Sequence, residues 1–130
     1  MSSVIDLSNA KDVDMEVYDP TRTYLGKDRI AEFLMAPLTG DLTEVPGVGP
    51  KTAAKLAEEE HGSVRNTYQL LGKFLEMREV NDTCVTHCTR FMHWLKLKGL
   101  TKHKTSVTTC VAEKVSTWIP IMYDPSAFAE

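Results

Sequence analysis

The stretch Val45-Pro46-Gly47-Val48-Gly49-Pro50, running on into Lys51-Thr52-Ala53-Ala54-Lys55-Leu56, decides how the rest of this 130-residue chain is read. Two glycines two positions apart let a backbone turn sharply and approach a ligand with no Cβ in the way. Pro50 suits the first position of a following helix, where an amide hydrogen would find no partner. The spacing therefore predicts a short helix ending near Val45, a turn at Gly47 to Gly49, and a second helix from Pro50, which is a helix-hairpin-helix. The first-turn amides of the second helix would point outward at the positive end of its dipole, a setting that favours an anion such as a nucleic-acid phosphate. The same residues also suit a plain tight connection between two packed helices, and the sequence leaves that alternative open. A Walker loop and a dinucleotide fingerprint both fail, because no Gly-Lys-Ser or Gly-Lys-Thr follows and the third glycine is missing.

Outward from the turn, helical periodicity recurs in short blocks. Ile30, Phe33 and Leu34 share one face of a helix from Lys27 that Pro37 stops. The leading hairpin helix spans about Asp41 to Val45, with Thr39 or Asp41 as its cap. The second runs from Pro50 to about Glu60 and packs through Ala53, Leu56 and Ala57 before Gly62 ends it. Glu58 to Glu60 oppose that helix's dipole and are expected to face water, away from any DNA. Asn66 to Leu75 carries Tyr68, Leu71, Phe74 and Leu75, interrupted by Gly72. A longer helix holds Cys84, Val85, Cys88, Phe91, Met92 and Leu95 and stops at Gly99. The last, capped by a threonine in Thr101 to Thr105, carries Val107, Cys110, Val111, Val115 and Trp118 and closes at Pro120. The expected fold is all-α, a compact bundle of about five short helices containing the helix-hairpin-helix. An acidic extension (1–26) precedes the helical domain (27–120), and a tail (121–130) follows it.

The net charge of −3 is unevenly spread: residues 61–104 carry eight bases against three acids. Lys102, His103 and Lys104, at the expected start of the last helix, form a second plausible phosphate site beside free helical amides. Lysines in such places also serve simply to complement dipoles and keep a helix soluble. No apolar run reaches the roughly 20 residues of a membrane span, and Met1 to Ala10 lacks signal-peptide features, so a soluble intracellular protein is expected. Three cysteines without a disulfide spacing fit reduced thiols. Cys84, His87, Cys88, His93 and Cys110 have poor zinc spacing, and Cys84 and Cys88 share a helix face with Phe91 and Met92. His87 points about 100° round the helix from Cys88, so a thiol–imidazole pair is not expected. No catalytic group stands out, and neither an enzyme nor a cofactor is expected.

From about Lys27 to Ile119 the chain resembles the barrier-to-autointegration factor (BAF) family of small chromatin proteins. The resemblance rests on the order Ala36-Pro37-Leu38, Val45-Pro46-Gly47-Val48-Gly49, Tyr68-Gln69-Leu70-Leu71-Gly72-Lys73-Phe74-Leu75, Phe91-Met92-His93-Trp94-Leu95-Lys96, and a last helix with Cys110 and Trp118. It implies a helical protomer that forms a two-fold dimer and binds double-stranded DNA through its backbone, bridging or compacting duplexes. Carried over, Gly47, Val48 and Gly49 would hold a phosphate helped by Lys51, with Thr52 and Lys55 on the same helix. Lys102, His103 and Lys104 would hold a neighbouring strand, and Leu71, Gly72 and Phe74 would lie at the dimer interface. Chromatin or nucleus is the implied location, with a cytoplasmic pool, and LEM-domain-like nuclear-envelope proteins are the implied further partners. The chain departs from the family in a longer Phe74–Trp94 connection, a last helix with fewer cysteines, and the acidic extension in place of a short arm. Two rivals are a helical protein-interaction module that ignores DNA and an accessory DNA-repair or processing factor.

Overall fold

Residues 16–128 are described in a computed structural model. Among them the secondary structure is helical throughout, with five α-helices: α1 (Lys27–Met35), α2 (Pro50–Ala57), α3 (Thr67–Glu76), α4 (Cys84–Leu97) and α5 (Lys104–Ser116). Short 3-10 turns fill Pro20–Arg22, Leu42–Glu44, Pro120–Met122 and Pro125–Phe128.

Local chemistry sets these boundaries. Asn66 caps α3 by accepting from the Gln69 amide at 2.8 Å, and Thr83 caps α4 by accepting from the Thr86 amide at 3.1 Å. α4 ends in a left-handed Gly99 at φ +96°. The expected leading hairpin helix is only one 3-10 turn, because Pro46 drives Val45 into an extended conformation (φ −77°, ψ 122°). Asp41, not Thr39, caps it. α2 stops three residues short of Glu60. Its next residue, Glu58, is extended, and Lys98 Nζ gathers the carbonyls of Glu58, Glu60 and Gly62 at 2.6–2.7 Å. That lysine is buried and serves the fold, so it adds nothing to a basic surface.

α5 packs against α1, α3 and α4, and the core centres on Phe74, Phe91, Trp94 and Leu95, all fully buried. The two terminal segments join this core. Tyr18 is buried, and its hydroxyl meets those of Thr109 and Tyr123, the latter at 3.1 Å. Core packing thus extends past both ends of the 27–120 span expected from sequence. It also explains why α5 is buried nearly all round, Thr105, Ser106, Thr108 and Thr109 included, and does not show the single apolar stripe.

On α3, Leu70 fills the core where the sequence reading put Tyr68, which is exposed. Trp118 lies beyond the end of α5 and is 59% exposed. The connection before α4 is tied by the buried pair Arg90–Asp82, with Arg90 also donating to the Met77 carbonyl at 2.9 Å. Burial pushes the Asp82 carboxyl up, but the Arg90 hydrogen bonds, the Glu79 amide and the Arg90 charge outweigh it and hold the group below its ordinary 3.8.

Candidate nucleic-acid interface

The turn at Gly47 is built by a backbone that only glycine adopts without strain, at φ +95°. A Cβ there would lie 3.2 Å from Val107 Cγ2 and 3.4 Å from His103 Cβ. The turn therefore sits directly on the amino end of α5. Gly47, in the first stretch singled out from sequence, thus lies beside His103, in the second.

Its hydrogen-bond donors differ in part from expectation. The Val48 amide is taken by the Val45 carbonyl at 2.9 Å, and the Val48 side chain is buried. Among the described residues, the amides of Gly47, Gly49, Lys51 and Thr52 meet no acceptor, as befits a helix start whose cap, Gly49, has no side chain to offer. Gly49 is exposed and has open space around it. At α5 the cap is His103 with no side-chain hydrogen bond, so the expected threonine cap does not form. The first amides of α5 likewise meet no acceptor among the described residues.

The cations are unequally free. Lys51 and Lys102 are exposed. Lys55 Nζ reaches the Gly99 carbonyl at 3.3 Å, tying α2 to the end of α4. Lys104 is paired with Glu16, Nζ to carboxylate 3.2 Å. The acidic segment thus approaches this surface. Glu58 to Glu60 do keep away: they are exposed at the opposite end of α2.

A second surface feature is an open apolar groove of about 460 Å³ between α3 and the end of α5, lined by Leu38, Tyr68, Leu71, Gly72, Leu75 and Trp118 among others. Leu71 and Gly72 of the expected dimer contact line it. Phe74 does not. It is fully buried in its own chain, stacked on His87 at 3.9 Å between ring centres, so it supports this face only from behind.

The cysteines divide by burial. Burial pushes the Cys110 thiol up to about 12. A hydrogen bond from Cys88 brings the half-buried Cys84 down to about 7 despite partial desolvation. Among the described residues no three His, Cys, Asp or Glu side chains converge as a metal ion would require. Nor is any helix among them long and apolar enough to cross a membrane. Sequence reasoning missed Glu16 as a member of this surface. A glutamate in an aperiodic acidic stretch carries no local mark of the distant lysine it meets. Comparison with family models, curated proteins and solved structures finds no match to this chain.

Proposed function

We propose that this chain binds double-stranded DNA through phosphates, without reading base sequence, and bridges or compacts duplexes as a homodimer. The observation that supports it best is the contact of the Gly47 turn with the amino end of α5. That contact brings two helix starts with unpaired amides next to each other, and Lys51 and Lys102, adjacent to them in sequence, are exposed. A phosphate pair along one strand suits such a double site. The α3–α5 groove, apolar and open, is the face on which a second copy would dock. The resemblance to the BAF family supports the same reading, and with it a place on chromatin and LEM-domain-like partners.

Gly49→Glu is the cleanest test. Gly49 has an ordinary φ of −98° and free space, so the fold tolerates a side chain, whereas glutamate at Gly47 would also strain the left-handed turn and press on Val107. The folded Gly49→Glu chain is expected to lose about tenfold or more in duplex affinity, since a carboxylate replaces an anion site. Unsubstituted protein should bind unrelated duplex sequences alike and weaken steeply with salt. Normal binding by folded Gly49→Glu rejects the site. A chain that ignores duplex DNA at low salt while still engaging protein through the groove establishes the interaction-module reading instead.

A further inference from the structure

The amino-terminal segment places a carboxylate on the surface just described. Glu16 lies 3.2 Å from Lys104 Nζ and 3.6 Å from Arg22 Nη1, so a single anion holds two cations at the amino end of α5. This is an anchored placement. The Glu16 carbonyl accepts from His93 Nε2 at 2.6 Å, the Tyr18 amide donates to Thr89 Oγ1 at 3.0 Å, and the Tyr18 ring is buried. Lys104 is held from its other side by the Thr101 carbonyl at 3.3 Å, and its side chain is only 15% exposed. A phosphate approaching Lys104 therefore meets a carboxylate already in position. The chain before Glu16 adds further acids, Asp6, Asp12 and Asp14, against one base, Lys11.

We propose that Glu16 is a built-in competitor for phosphate, an autoinhibitory latch on Lys104 and Arg22 that DNA must displace. The inference rests on the DNA reading of the Gly47–α5 surface and adds its regulation. Ion pairs this close to solvent are weak enough to be exchanged for a phosphate, which offers the same cations an anion of higher charge density. Binding then frees the Glu16 carboxylate. Anything that neutralises or sequesters that carboxylate raises the affinity for DNA.

The test uses the full chain, Glu16→Gln, Lys104→Met and the double variant. Each is titrated with a short labelled duplex by fluorescence anisotropy at several salt concentrations, with folding checked by circular dichroism. Glutamine keeps the size of the side chain and the backbone contacts of residue 16. Glu16→Gln is expected to bind about three- to tenfold tighter at low salt, with a log–log salt slope steeper by about one, the signature of one more phosphate contact. Lys104→Met removes a cation of the proposed site and should bind no tighter than the unsubstituted chain, and on its background the gain from Glu16→Gln should fall to about twofold or less. The latch is overturned if Glu16→Gln binds no tighter than the unsubstituted chain, or if its gain survives Lys104→Met. Failure of the DNA reading is separately visible, since then the unsubstituted chain and all variants ignore the duplex, and the latch falls with it. If Glu16→Gln loses its fold, Glu16→Ala takes its place under the same criteria.

Discussion

Replacing Lys114 with methionine removes an ammonium group while keeping the aliphatic stem, and the geometry around it sets the cost. Lys114 Nζ donates to the carbonyls of Phe33 at 2.7 Å, Leu34 at 2.9 Å and Ala36 at 2.6 Å. These belong to the carboxyl end of α1, where carbonyls have run out of helical amides. The residue is 3% exposed, so water has little access to replace the donors. Each carbonyl left bare costs about 1–3 kcal/mol. Against this, deleting a buried ammonium relieves a desolvation penalty of several kcal/mol. That penalty already holds the Lys114 pKa below its ordinary 10.5, with the Glu44 charge pulling the other way. The net expectation is a loss of about 2–4 kcal/mol, or roughly 8–16 °C in Tm for a domain of this size. Urea and thermal unfolding followed by circular dichroism at neutral pH measure it, with Lys51→Met as an exposed control. A loss below about 0.5 kcal/mol, the range of ordinary surface substitutions, would refute the claim that this lysine staples α1 to α5.

Two further outcomes bear on the core and on assembly. His87 is buried, donating from Nε2 to the Phe74 carbonyl at 2.6 Å, and desolvation lowers its pKa from 6.5. The unfolded chain therefore takes up the proton first, so the stability contributed by neutral His87 is complete above pH 6.5 and declines as pH falls below it. Urea midpoints between pH 7.5 and 5.5 should drop in the unsubstituted chain and stay flatter in His87→Gln, and parallel declines would remove His87 as the cause. Gly72 is exposed on α3 with open space around it, so Gly72→Glu should leave the fold intact and, by placing a charge in the apolar groove, yield monomers in sedimentation. A dimer that persists in Gly72→Glu, or an unsubstituted chain that is already monomeric, rejects the groove as the contact between copies.

The all-α fold was legible because its punctuation is chemical. Pro37, Pro50 and Gly99 each act within a residue or two of themselves, and the helix ends fall close to them, whereas α5 ends at Ser116, before the expected stop at Pro120. The α4 stripe was readable for the same reason, since Cys88, Phe91, Met92 and Leu95 are neighbours by helical spacing alone. The candidate surface was legible as two separate pieces, and their junction was not, because His103 and Gly47 meet only through packing. Long-range pairings escaped altogether. Lys98 and Lys114 look like ordinary solvent-facing lysines until the carbonyls they collect, some 36–40 and 78–81 positions away, are brought to them. Tyr18 and Tyr123 sit in segments without helical period, so no spacing marks them as core. The sequence reading kept Leu71 and Phe74 but took Tyr68 for Leu70, about 200° away on a helix, and a ten-residue segment leaves the edges of its buried face undetermined until its neighbours are placed.

The hydroxyl cluster of Tyr18, Thr109 and Tyr123 has a topological consequence. The Tyr18 and Tyr123 oxygens are 3.1 Å apart although 105 positions separate them, and the Phe128 ring lies 5.3 Å from that of Tyr18. The two ends of the described chain thus lie side by side against α4 and α5. A peptide joining them would close a ring with little distortion, and the chain could be reopened at the exposed Val80–Asn81 connection between α3 and α4. Such a circular permutant keeps every helix whole while making Glu16 part of an internal loop.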